Sequence, residues 1–290
     1  MSRGSLSLVF GSDGLIGGEL VLRLKDKGCR TLGTVFQRRA GSDEQFLDLA
    51  QDISTWRPPH GTTTAYCCAA VTSLQACRED PAGSRRTNVD HTVALAARVV
   101  ADGGFVVFPS SSLVFDGAGP SCKATDPVRP LTAYGRQKAD AERNLLALGS
   151  SVAVVRLTKV VGSRTHLLEK WVGALRAGEV IRPFPNMVLA PLPVSFVARA
   201  LVRVGESRRP GIFQLSPDRD ITYAEAAYHV ATRVGADASL VQPVKVEESG
   251  VRLESNPRHT TLDSERARRE LGLVPPGVYE ALDFALEALL

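Results

Sequence analysis

An α/β fold, a doubly wound parallel sheet with a smaller C-terminal lobe, is predicted from three observations on the 290-residue sequence. Short apolar runs of strand type alternate with helical patterns through roughly the first 160 residues. A glycine-rich stretch, GSDGLIG (11–17), stands between the first such run and the first helix. After about residue 160 the alternation weakens and proline-containing segments intervene.

The elements follow in order. Leu6–Phe10 reads as a strand, and Leu15–Lys27 carries apolar residues at helical spacing. Further strand-like runs are Arg30–Phe36, Thr64–Cys68, Phe105–Phe108 and Val152–Arg156, with helices expected over Ala82–Ala101 and Tyr134–Leu148. Such alternation implies a parallel sheet covered on both faces, with ligands bound beyond the carboxyl ends of its strands. RPFPNMVLAPLP (182–193) reads as loops crossing between lobes, and helices are expected at Val194–Val204, Tyr223–Val234 and Val278–Leu289. The organisation expected is a dinucleotide-binding domain over 1–160, rejoined by segments from about 190–215, and a substrate-binding lobe from most of 161–290.

Bulk properties exclude some classes. A hydrophobic content of 44% against 23% charged suits a globular chain with a sizeable core. The net charge of +4 is spread out, with no Lys/Arg block interleaved with aromatics, which argues against a nucleic-acid partner. No apolar run is long enough to cross a bilayer and no signal peptide precedes Leu6, so a cytoplasmic location is expected and a membrane partner is not. The five cysteines lack CxxC or Cys/His spacing, so no metal is expected; Cys67-Cys68 reads as apolar packing.

The glycine stretch falls at a strand-to-helix turn. Gly11 can adopt angles closed to other residues, Gly14 lets a ligand approach the main chain, and Gly17 permits close packing of helix and strand. The helix that starts there offers unpaired N–H groups and a positive dipole end, suited to the pyrophosphate of a dinucleotide. A ligand-free tight turn is the plain alternative. The second strand runs into Gln37-Arg38-Arg39 where an acid would favour NAD. Guanidinium groups match a phosphate, so NADP(H) is expected, with Arg38 and Arg39 as contacts and NAD(H) the second choice.

Two later stretches carry chemistry. Phe105–Phe108 leads into Pro109, Ser110, Ser111 and Ser112, and YGRQK (134–138) opens a helix some twenty residues on. Tyr134 and Lys138, at i and i+4, share one helical face. A phenol has a pKa near 10, and a neighbouring ammonium with an oxidised nicotinamide favours its phenolate. A Ser111 hydroxyl is placed to hydrogen-bond the substrate oxygen, and Lys138 to hold the nicotinamide ribose.

With those residues in view, the chain resembles an extended short-chain dehydrogenase/reductase of Rossmann type, and within that superfamily it is similar to the dTDP-4-dehydrorhamnose reductase group. The matching pieces are GSDGLIG (11–17), DIS (52–54), AAVT (69–72), NVDHT (88–92), SSSLVFDG (110–117), YGRQK (134–138), VVRLTKVVG (154–162) and NPRHTTLD (256–263). The resemblance implies that Gly11, Ser12, Asp13, Gly14, Leu15, Ile16 and Gly17 hold the pyrophosphate. It places Asp52 and Ile53 beside the adenine, and Ala69, Ala70 and Val71 along the cofactor. Asn88 would brace that region, and Ser111, Tyr134 and Lys138 would form the catalytic set.

There are departures from the group's STDYVFDG: Ser111 replaces a threonine, Ser112 an aspartate and Leu113 a tyrosine. The hydroxyl is kept, while the polar Asp-Tyr pair is lost. Asn256 stands where an arginine is usual, and the region Ser73 to Arg78 lacks the usual acids. Arg164, Arg182 and Arg258 are candidate diphosphate ligands. The activity implied is NADP(H)-dependent reduction of a keto group on a nucleotide-linked sugar, with Tyr134 as proton donor. An epimerase or dehydratase, and a non-catalytic nucleotide-binding regulatory subunit, are the alternatives; a second copy of the chain is a candidate partner.

Overall fold

The computed structural model describes residues 5–36, 41–287 and 289–290. In chain order its elements are β1 (Leu6–Phe10), α1 (Leu15–Asp26), β2 (Arg30–Val35), β3 (Glu44–Phe46), β4 (Thr62–Cys67), α2 (Leu74–Glu79), α3 (Pro81–Arg85), α4 (Thr92–Ala101), β5 (Phe105–Ser111), α5 (Ala133–Leu146) and β6 (Val152–Leu157). There follow β7 (Lys159–Val161), α6 (His166–Arg176), β8 (Val188–Leu189), β9 (Pro191–Pro193), α7 (Val194–Ser207), β10 (Gly211–Leu215), β11 (Ile221–Thr222), α8 (Tyr223–Val234), α9 (Glu265–Leu271) and α10 (Val278–Leu286).

Seven strands form one parallel sheet in the order β10-β6-β5-β4-β1-β2-β3. The order reverses between β1 and β4, the crevice where such sheets take their ligands. Alternation of side chains sorts each strand between two cores. Val9, Val107 and Val155 face Leu20 and Leu24 of α1 and Phe196 and Leu201 of α7. Leu8, Val106 and Val154 face Leu95 and Val99 of α4 and Leu145 of α5. Burial on both faces is why these strands read as unbroken apolar runs. A third core joins Leu168 and Trp171 of α6, Val230 of α8 and Leu282 of α10 in the C-terminal lobe.

Three expectations need correction. The helix expected over Ala82–Ala101 is broken by a π-helical turn, Arg86–His91, between α3 and α4. Thr92 Oγ1 donates to the Thr87 carbonyl (2.8 Å) and so supports that wide turn. RPFPNMVLAPLP is not only loop: it contributes β8, paired antiparallel with β11, and β9, paired parallel with β7. The sheet also gains β3 and β10 at its edges, and α2, α6 and α9 were not expected. Among the described residues no helix is long and apolar enough to cross a membrane.

Candidate active site

The turn after β1 is pinned to β2. Gly11 N–H approaches the Thr34 carbonyl (3.1 Å) and hydroxyl (3.2 Å), and Ser12 donates to the same carbonyl through N–H (2.9 Å) and Oγ (3.1 Å). Ser12 is therefore turned inward and holds the turn's shape. Gly11 has φ +77, and a Cβ there would lie 2.7 Å from the Ala69 backbone, so the turn presses on the residues beyond β4. A Cβ at Gly17 would overlap the Gly11 carbonyl. The result is a bare helix start. Gly14 offers no capping side chain, and the first intrahelical bond runs from Gly18 N–H to the Gly14 carbonyl (2.9 Å). The N–H groups of Leu15, Ile16 and Gly17 precede it and are positioned for an anion.

Ser111 ends β5, and the first turns of α5 bring Tyr134 and Lys138 toward the same strand end. Ser111 Oγ accepts from Leu113 N–H (3.2 Å) and caps a single 3₁₀ turn. Thr132 caps α5 by accepting from Gly135 N–H (3.0 Å). Any side chain at Gly135 would overlap the Leu113 carbonyl, so this glycine lets the first turn of α5 lie against the segment that follows Ser111. Lys138 is buried (4% exposed); its Nζ donates to the Pro109 carbonyl (2.9 Å) and lies 4.4 Å from the Phe108 ring centroid and 5.8 Å from that of Tyr134.

Burial lowers the Lys138 ammonium to about 8 and raises the partly exposed Tyr134 phenol above its ordinary value. Desolvation disfavours the charged form of each group, so it acts in opposite directions on an ammonium and a phenol.

Asn88 is buried in the π turn and clamps both backbone groups of Val71, accepting from its N–H (2.8 Å) and donating to its carbonyl (2.9 Å). It also donates to Gln137 Oε1 (2.8 Å), and Gln137 donates to Ser84 Oγ (2.8 Å). Gln137, inside YGRQK, thus ties α5 to the segment after β4. Sequence reasoning did not single it out, although it stands inside the YGRQK stretch next to Lys138. Glu254 has no such local signal. Its Oε1 accepts from Ala133 N–H (2.7 Å) across 121 residues of chain and pairs with Arg136 (3.3 Å).

Other expected residues are placed differently. Asp52 is exposed and accepts from Ser54 N–H and Oγ (2.8 Å each), bonds that hold its carboxyl below the usual range. The Ile53 side chain is in the core, and its carbonyl accepts from Arg98 Nη1 (2.7 Å) and Trp56 N–H (3.1 Å). Arg38 and Arg39 lie outside the described residues. Asn256 donates to the Asn186 carbonyl (2.9 Å), while Arg182 and Arg258 are exposed. Burial raises the thiols of Cys67 and Cys68.

Of six buried side-chain polar atoms without a hydrogen-bond partner among the described residues, four lie here, Arg23 Nε and Trp56 Nε1 being elsewhere. Asp13 Oδ2, Ser110 Oγ, Thr158 Oγ1 and Glu254 Oε2 lie in the glycine turn, at the ends of β5 and β6 and beside α5. Each such atom costs about 1–3 kcal/mol. Among the described residues no group of three or more His, Cys, Asp or Glu is arranged to hold a metal ion.

Residues 6–290 match the family described as RmlD substrate binding domain. A curated relative, methionine adenosyltransferase 2 subunit beta of Bos taurus, is 27% identical over 273 residues, 89% of this chain and 80% of the relative. A dTDP-4-dehydrorhamnose reductase from Clostridium acetobutylicum superposes with a TM-score of 0.85 at 22% identity, over 98% of this chain and 99% of that one. MoeE5, solved in complex with UDP-glucose and NAD, superposes with a TM-score of 0.82 at 25% identity, over 98% of each chain. The match covers both the sheet and the C-terminal lobe: the chain belongs to the RmlD substrate-binding-domain family, that of the dTDP-4-dehydrorhamnose reductases.

Proposed function

We propose that this protein is an NADP(H)-dependent reductase of a keto group on a nucleotide-linked sugar. The observation that carries the proposal is the buried Lys138 ammonium, one helical turn from Tyr134 and at the strand end that supplies Ser111. A buried ammonium costs stability, and a position that keeps one is a candidate for chemistry.

A dinucleotide fits the residues present. The bare start of α1 and the contacts that Gly11 and Gly17 make possible suit a diphosphate. Ala69, Ala70 and Val71 would line the cofactor, with Asn88 fixing Val71; Asp52 and Ile53 would flank the adenine; and Arg38 and Arg39 would take the 2′-phosphate. Residues 1–160, with about 190–215, would form the dinucleotide-binding part, and most of 161–290 the sugar-binding lobe.

When bound, NADPH supplies the hydride that reduces the carbonyl carbon. Tyr134 gives its proton to the carbonyl oxygen, and a phenol raised by burial holds that proton at neutral pH. Ser111 hydrogen-bonds the same oxygen as it gains charge. The phenolate left behind is stabilised by Lys138 and is reprotonated from solvent.

Steady NADPH consumption with a panel of 4-keto dTDP- and UDP-sugars tests the proposal; turnover of at least one is expected, and none would defeat it. A second reading, a non-catalytic nucleotide-binding regulatory subunit, draws support from the 27% identity to methionine adenosyltransferase 2 subunit beta. Tight NADPH binding without turnover, and co-purification of an enzyme partner, would favour it.

A further inference from the structure

We infer that Arg164, from the C-terminal lobe, is a ligand of the dinucleotide's diphosphate and not of the sugar nucleotide. The inference rests on the cofactor reading above.

The placement is specific. Arg164 Nη2 donates to the Gly14 carbonyl (3.2 Å), 150 residues away in the chain, at the residue that opens α1. The loop is seated there by Gly162: a Cβ on that residue would meet Val194 Cγ1 at 2.7 Å and Leu15 Cδ1 at 3.4 Å. Thr165 Oγ1 fixes it further by accepting from Gly162 N–H (2.8 Å). A fourth glycine, just beyond GSDGLIG, belongs to the same arrangement. A Cβ at Gly18 would lie 3.0 Å from Arg164 Nη2, so the sequence leaves room for the guanidinium where α1 begins.

Charge completes the argument. The start of α1 offers three N–H groups and a dipole end worth about half a positive charge. A diphosphate brings two negative charges, and the Asp13 carboxyl in the same turn adds to them. Without Arg164 the described turn contains no cation. Arg164 is exposed, and its Nε and Nη1 make no hydrogen bond among the described residues, so it can turn a planar fork onto phosphate oxygens without leaving the loop. Arg182 and Arg258, exposed elsewhere in the lobe, are left for the sugar nucleotide.

Titration calorimetry on the full chain tests this with NADPH, NADH, 2′,5′-ADP and dTDP-glucose as probes. Arg164→Ala should raise the Kd of NADPH and NADH by the same factor, about tenfold, because the diphosphate is common to both. It should change the Kd of 2′,5′-ADP, which lacks the bridge, by less than about twofold, and Arg164→Lys should recover part of the loss. Unchanged dinucleotide affinity, a loss confined to NADPH, or a loss confined to dTDP-glucose would each overturn the assignment. Failure of the wild-type chain to bind any dinucleotide would overturn the cofactor reading and this inference together, and is distinguishable because it precedes any substitution. Unchanged thermal unfolding of Arg164→Ala separates ligand loss from fold loss.

Discussion

The half built on the seven-stranded sheet and the C-terminal lobe place polar groups by different means. In the first, strands of up to seven residues lie buried between two cores, and the polar residues stand where those strands end. Gly11 follows β1, Ser111 ends β5, and Lys138 of α5 reaches the Pro109 carbonyl of β5. In the second, the lobe's own strands are two or three residues long, and its contributions travel on loops: Arg164 reaches Gly14, and Glu254 reaches Ala133. A sheet fixes chemistry, while a loop-borne lobe is freer to alter what it is applied to.

Substitutions can break or sharpen this contrast. The largest effect is expected at Gly17→Val, where the new side chain must overlap the Gly11 carbonyl. NADPH affinity should fall by more than about a hundredfold, while the lobe, whose α8 has its own capping box at Thr222 and Glu225, stays folded. NADPH titration with circular dichroism checks this; near-normal affinity would remove the turn from the site.

Lys138→Met should lower turnover by about a hundredfold and yet stabilise the fold at neutral pH. Burial lowers this ammonium from 10.5 to about 8, so between those values the unfolded chain binds more protons than the folded one. Stability from this group therefore rises as pH climbs from 8 to 10.5, by an amount of order 2–3 kcal/mol, and the methionine variant should lose that rise. Urea unfolding of both proteins at pH 7 and pH 10 measures it.

Arg38→Ala combined with Arg39→Ala should weaken NADPH about tenfold and NADH less than about twofold; equal losses would end the 2′-phosphate assignment. The smallest effect is expected across the lobes. Glu254→Ala removes the acceptor for Ala133 N–H and should cost about 1 kcal/mol, with Glu254→Gln costing less because it keeps an acceptor oxygen. Urea midpoints compare the two.

What could be read from the sequence follows the same division. β1, α1 and α8 match their expected starts, and β4 to β6 differ only at their ends, because double-sided burial and helical periodicity are local signals. β7, β8, β9 and β11 are too short to show any period. β10 was missed because Gln214 interrupts its apolar run, a residue buried to bond Arg156 (3.2 Å) and the Cys122 carbonyl (2.7 Å). The π turn adds one residue to a helical spiral without altering its composition. At the site, Ser111, Tyr134 and Lys138 were legible as a pattern, whereas the burial that raises the Tyr134 phenol depends on packing around α5. Glu254 was beyond reach, since nothing near residue 254 indicates a helix 121 residues earlier.

The account depends most on Tyr134 as the proton donor beside a bound dinucleotide. Tyr134→Phe removes only the hydroxyl, so NADPH affinity and keto-sugar turnover measured on the same preparation test it directly. The account predicts an NADPH Kd within about threefold of wild type and turnover reduced by about a thousandfold. Turnover retained at wild-type rates on the same keto sugar would contradict it.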